Sequence, residues 1–257
     1  MASSKKRIVL LDEARGLAVF CMIFYHAFVL FHEVLHAQWA FDTFKFFEPI
    51  QPAFAAGFIF ISGICARLSH NNTVRGIKLL IIALALTFIS AVLLPSFGFE
   101  RTQIYFGILH LLACSMLLFS LSKKILDKTP AIIGATLCII IAFVTRDISF
   151  GKIGLWDDMM FRLPYEWYNI DWLFPIGIHS HEFYSADYFP LLPWSLIFLF
   201  GSFVGISVKA GKVPSFAYQS HIKFFEKLGQ HSLIIYIVHI PIIYVLVFAV
   251  QWISSQF

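Results

Sequence analysis

The sequence predicts an all-α fold: a polytopic transmembrane helix bundle of about seven spans plus a short interfacial or re-entrant helix. Three observations carry this. The 257 residues are 59% hydrophobic and only 13% charged, where soluble domains are about 25% charged. Mean hydropathy is +0.80. Thirty Phe residues are more than the interior of a globule of this size would hold, so most must face lipid or another span. A soluble enzyme, a disordered chain, a disulfide-stapled module and a nucleic-acid binder are excluded, although the net charge is +4. We expect a single membrane domain over 1–257, elaborated by the segment 148–189.

Spans need about 20 apolar residues. Seven runs qualify: 8–32, 46–68, 74–95, 104–122, 130–147, 190–208 and 231–253. An eighth, 163–178, carries Glu166 and Asp171. It is assigned to the interface or to a re-entrant segment, because a lipid-facing carboxylate at mid-membrane is costly. The first run is interrupted by Asp12, Glu13 and Arg15 and has no small-residue cleavage site, so it reads as a retained span. Cys21, Cys65, Cys114 and Cys138 each sit within an apolar run without CxxC spacing and read as small buried hydrophobes. Asn71-Asn72-Thr73 matches a glycosylation sequon but falls in a loop assigned to the cytoplasm.

Orientation follows from charge. Thirteen basic residues flank one side of the runs: Lys5 to Arg7, Arg67, Arg75, Lys78, Lys123, Lys124, Lys128, Lys209, Lys212, Lys223 and Lys227. Five lie on the other: Lys45, Arg101, Arg146, Lys152 and Arg162. The positive-inside rule puts the N-terminus in the cytoplasm and, after seven crossings, the C-terminus outside. The expected location is the plasma (cytoplasmic) membrane, a cell inner membrane. The outer segment 148–189 combines acidic residues with Trp156, Tyr165, Trp167, Tyr168, Trp172, His179, His181 and Tyr184. That mixture fits sugar stacking or an aromatic belt on the bilayer. His179-Ser180-His181-Glu182 fixes no third ligand by spacing, so no resident metal is expected.

Ionisable groups inside spans tend to mark function. Arg15 and His26 lie eleven residues apart. On a helix that is about three turns, which puts both side chains on one stripe about 16 Å apart. Arg15 near the cytoplasmic face would hold an anion, and His26 would handle a proton. Alternatively, Arg15 pairs with Asp12 and closes the helix end while His26 bonds a carbonyl. His110, at a matching depth in the fourth span, is the candidate to share one pocket with His26. His239, just before Pro241, is read as structural, since proline frees a carbonyl about one turn back. Asp187 precedes Pro190 and Pro193 at the start of the sixth span. It is read either as a carboxylate that orients a histidine or binds substrate, or as a helix-dipole partner. The small residues Ser62 and Gly63 permit close helix approach.

Leu11-Asp12-Glu13-Ala14-Arg15-Gly16-Leu17-Ala18, with Met22 and Tyr25-His26, resembles the first helix of membrane acyltransferases. Its Arg-x10-His spacing is shared with the acyltransferase-3 family. Phe60-Ile61-Ser62-Gly63, Tyr105-Phe106-Gly107-Ile108-Leu109-His110, the stretch from Asp187 to Trp194, and Leu228-Gly229-Gln230-His231-Ser232-Leu233-Ile234-Ile235-Tyr236 resemble, in order, bacterial relatives of the heparan-α-glucosaminide N-acetyltransferase catalytic domain. The resemblance implies that acetyl-CoA or another acyl-CoA binds from the cytoplasm as co-substrate. The acyl group would pass to an amino or hydroxyl group of a sugar or glycan outside, in a homodimer embedded in the lipid bilayer. In that family a histidine after the first span is the base, with an asparagine earlier. Here His26 stands in the asparagine's place, and His36, in His36-Ala37-Gln38-Trp39, approaches the histidine's place with a spacing shorter by one. The catalytic candidates are therefore His26, His36 and Asp187. Arg15 and His110 are the donor-binding candidates. The competing classes are a small-molecule or proton-coupled transporter and an assembly subunit without chemistry.

Overall fold

The computed structural model describes residues 7–99, 101–156 and 160–256. Among them are nine helices: α1 (Val9–Leu35), α2 (Gln38–Phe47), α3 (Gln51–Leu68), α4 (Asn72–Ser96), α5 (Ile108–Leu126), α6 (Ala131–Val144), α7 (Leu191–Lys209), α8 (Lys223–Gln230) and α9 (Ser232–Ser254). Seven of them, all but α2 and α8, are long and apolar enough to cross a bilayer, α6 being taken together with the turns that carry it to Phe150. In hydrocarbon every backbone group must be paired within the chain, which is why these runs become helices. The protein is an integral membrane protein.

The spans fall where the apolar runs put them, and the differences at the ends have local causes. The run read as 46–68 begins instead at Gln51. The residues before it form α2 and a turn, and Pro52 sits in the first turn of α3, where its missing N–H costs nothing. The fourth span starts at Ile108 rather than 104 because residues 103–106 pair with 186–189 in extended form. The segment 163–178 forms two 3₁₀ turns, Tyr165–Asn169 and Phe174–Ile176, and no spanning helix.

The chain groups into two compact units, Met1–Ile61 with Val213–Phe257, and Ser62–Lys212. In the first, α1 is the centre. Gly16 lies so close to α8 that a Cβ there would overlap the Phe225 carbonyl oxygen, and a Cβ on Gly229 would overlap the Asp12 carbonyl oxygen. Two glycines thus let α1 and α8 touch backbone to backbone. Further along α1, Leu30 packs with Ile243 and Val247 of α9, supported by Ile23, Ala27 and Ile240. His26 meets His239 one turn before Leu30 meets Ile243, so the two helices run in the same direction. An odd number of crossings requires this of a first and a seventh span. α2 lies over α1 through aromatic pairs, Tyr25 with Phe44 and Phe31 with Trp39.

In the second unit, α4 packs on α5, α6 on α7, and α5 on α7. Gly63 admits α7 as its small size allows, since a Cβ would overlap the Phe198 carbonyl oxygen. One turn on, the buried Arg67 donates from Nε to the Ser202 carbonyl at 3.0 Å, lies over the Phe119 ring and pairs with Asp127. Lys123 also binds Asp127. Lys123 first, then Arg67, hold the Asp127 carboxyl below its ordinary value of 3.8. The group therefore contributes stability above that value and loses it as pH falls through the lower folded value. The thermal midpoint of the wild type should exceed that of Asp127→Asn at about pH 6, and the gap should shrink as pH falls below the ordinary carboxyl value. A scan of both proteins in detergent measures it.

Residues 148–178 have a small core of their own. Ile148, Tyr168 and Ile178 are buried together, Tyr168 donates to the Ile148 carbonyl, and Lys152–Ile153 (β1) pairs antiparallel with Phe161–Arg162 (β2). Asp171 accepts the Ser180 N–H at 2.8 Å, and this bond holds its carboxyl below the usual range. Trp156, Tyr165, Trp167 and Trp172 are exposed.

Candidate functional site

α1 carries two of the five candidate residues, Arg15 and His26, and a third, His36, caps its end. At its beginning Asp12 is buried and accepts from two guanidiniums, Arg7 Nε at 2.6 Å and Arg15 Nη1 at 3.4 Å. Glu13, one residue on, points to α8. Its Oε1 accepts the N–H groups of His221 and Ile222, and its Oε2 faces His221 Nδ1 at 3.2 Å. Glu13 therefore holds the α1–α8 corner together, while the Asp12 carboxylate pairs at the beginning of α1. Arg15 adopts the one-turn pairing with Asp12 that the sequence allows.

His26 lies in the middle of α1, half-buried, on the face turned to α9. Its Nδ1 is 3.1 Å from Nε2 of His239, and the ring centroids are 5.0 Å apart. His239 is buried, and its Nδ1 is 2.7 Å from the Tyr236 carbonyl. The phenol ring of Tyr25 packs edge-on against His26. Along the chain 213 residues separate the two histidines, so no local spacing links them. The only available signal was that two intramembrane histidines lie on the first and last spans, which run the same way.

His36 closes α1. It is exposed, it adopts the left-handed conformation (φ 52°), and its N–H donates to the His32 carbonyl at 2.9 Å. A non-glycine residue in that region is uncommon, and histidine is among those that tolerate it.

His110 and Asp187 converge on the start of α5. Asp187 Oδ2 accepts the Ile108 N–H at 3.0 Å, so the carboxylate caps a helix that is 79 residues away and not its own. It faces the positive end of the α5 dipole. A Cβ on Gly107 would overlap Asp187 Oδ2, so a side chain there would displace the carboxylate. Replacing Asp187 by Ala should lower stability by about 1 kcal/mol, the usual worth of an N-terminal cap, and Asp187→Asn, which keeps an acceptor, by less. Chemical unfolding of both variants in detergent checks the order.

The His110 ring is buried with both nitrogens engaged. Nδ1 accepts the Gly107 N–H at 3.3 Å, and Nε2 lies 3.1 Å from Thr87 Oγ1. The Thr87 hydroxyl donates to the Ile104 carbonyl at 2.8 Å. Its proton is thus committed, and His110 Nε2–H must be the donor in their mutual bond. α4 widens to a π turn over Ile89–Leu93 at this point. Ser90, inside that turn, accepts the Ile104 N–H through Oγ, and its carbonyl accepts from Thr102. The 101–107 segment is thereby clamped between α4 and the parallel pairing of Phe106 with Tyr188. π turns of this sort recur at functional sites.

His179 lies among Phe183 and Tyr188, with Nδ1 donating to the Ser180 carbonyl at 2.9 Å. The structure thus forms two constellations, His26–His239 in the first unit and Asp187–Gly107–His110–Thr87 in the second.

A family model described as heparan-alpha-glucosaminide N-acetyltransferase, catalytic, matches residues 7–241. No curated protein and no solved structure matches the chain.

Proposed function

Because the chain belongs to the heparan-alpha-glucosaminide N-acetyltransferase catalytic family, an acetyltransferase family of multi-span membrane proteins, we propose that it moves an acetyl group from cytoplasmic acetyl-CoA to an amino or hydroxyl group of a sugar or glycan on the other side of the membrane. The observation that carries this reading is the family match over almost all of the spanning region, 7–241.

His26 serves as the general base. It sits on the central helix of its unit and has one nitrogen, Nδ1, engaged by His239. The acceptor nitrogen or oxygen attacks the acetyl carbonyl carbon, and its proton passes to His26. The C–S bond breaks, the CoA thiolate leaves, and the proton is returned to that sulfur. A base of this kind typically contributes about 10²–10⁴-fold. Arg15, near the end of α1 assigned to the cytoplasm, is proposed for the anionic donor. Asp187 and His110 fix the start of α5.

The test is a transfer assay with purified protein, radiolabelled acetyl-CoA and a panel of amino sugars and glycans, run alongside His26→Ala and His36→Ala. Labelled product that is lost with His26→Ala supports the reading. If transfer survives both substitutions, this mechanism is wrong. Substrate flux into proteoliposomes without any CoA compound would favour a transporter instead.

A further inference from the structure

We propose that His239 is the positioning residue of His26: it fixes the tautomer of the His26 imidazole so that Nε2 is the bare, proton-accepting nitrogen. This inference rests on the reading of His26 as base. It follows from hydrogen-bond chemistry along a chain of three groups. The Tyr236 carbonyl oxygen lies 2.7 Å from His239 Nδ1. A carbonyl oxygen only accepts, so Nδ1 of His239 carries the proton. In a neutral ring this leaves Nε2 as a lone pair, and that lone pair faces Nδ1 of His26 at 3.1 Å. Two bare nitrogens at this distance would repel. His26, whose ring also bonds the Met22 carbonyl one turn back on α1, keeps its proton on Nδ1 and donates it across to His239, and its Nε2 is the basic nitrogen.

Pro241 lies inside α9 and cannot donate to the Ile237 carbonyl four residues back. His239, in the same turn, bonds the carbonyl one residue earlier, that of Tyr236, with its ring. A histidine kept only to satisfy a carbonyl would need one nitrogen. The second reaches another helix and meets the candidate base.

The consequence for transfer is definite. When the acceptor's proton arrives at His26 Nε2, the new positive charge is shared through the Nδ1–H bond with His239 Nε2. The His239 Nδ1–H is in turn held by the Tyr236 carbonyl dipole. This is the orienting role that an acid or amide plays behind a catalytic histidine elsewhere, here filled by an imidazole that a carbonyl has locked into one tautomer.

The experiment is two-bond 1H–15N correlation of the full chain labelled with 15N-histidine in detergent, with the His26 signal assigned by its loss in His26→Gln. The expected result is His26 protonated at Nδ1 and bare at Nε2. His26 protonated at Nε2 in the wild type overturns the proposal, and this measurement needs no variant of His239. In the second arm, His239→Leu should mix the His26 tautomers and lower kcat by about 10²-fold, with KM for acetyl-CoA little changed. His239→Gln, whose Oε1 can accept from His26 Nδ1–H, should recover most of the lost kcat. A folded His239→Leu protein with unchanged kcat and an unchanged His26 signal also overturns it. The two failures are separable. An active His26→Ala defeats the reading of His26 as base, whereas an inactive His26→Ala beside a wild-type Nε2–H tautomer defeats this inference alone.

Discussion

Replacing His26 by Ala is expected to lower kcat for acetyl transfer by about 10²–10⁴-fold, or about 3–5 kcal/mol of transition-state stabilisation, while KM for acetyl-CoA stays close to the wild-type value. The split follows from the assigned role. A base acts on the acceptor proton in the transition state and adds little to donor binding in the ground state. Removing the ring also takes away the Nδ1–H that faces His239 Nε2 at 3.1 Å. A modest loss of stability is therefore expected, and kinetics should be measured on material shown to be folded. His36→Ala is the informative contrast. His36 is exposed at the end of α1 with a left-handed backbone. An alanine there carries about 1 kcal/mol of backbone strain, so a small drop in stability with a smaller effect on kcat is expected. A large kcat loss in His36→Ala with an active His26→Ala would move the base from one residue to the other.

The second large effect is expected at Gly16. A side chain there has nowhere to go. The nearest atoms are backbone, the Phe225 carbonyl and the Gly229 N, rather than a flexible side chain that could swing away. Gly16→Leu should therefore push α8 off α1, breaking the bonds from His221 and Ile222 to Glu13. The expected cost is about 3 kcal/mol, the upper part of the range for overpacking, read as a drop in thermal midpoint in detergent. The mirror substitution, Gly229→Leu, meets the Asp12 carbonyl and should behave alike. Gly57→Leu is the control, since nothing lies within 4 Å of a Cβ at Gly57. A Gly16→Leu protein as stable as Gly57→Leu would refute the close crossing.

The two short helices were not legible in the sequence. α2, Gln38–Phe47, was hidden because its Phe and Trp residues merge with the neighbouring apolar runs and a ten-residue helix lacks the length that marks a span. α8 has only eight residues. Both are held by tertiary contact with α1 rather than by their own propensity, since a helix that short is marginal alone. The acids were legible as unusual but not as to purpose. Glu13 serves the backbone of residues 221 and 222, and Asp187 serves that of residue 108.

What the sequence determined by itself was the set of spans, their order and the family. A bilayer leaves an apolar run of 20 residues no alternative to a helix, so length and hydropathy suffice, and the family motifs lie along the chain in order. Packing, by contrast, settles which polar groups meet. His26 with His239, Asp187 with the Ile108 N–H and Gly16 with Phe225 are each joined across tens to hundreds of residues. A hydrogen bond depends on position within a few tenths of an ångström, and that position is set by how helices pack and cross, which periodicity along one helix does not encode.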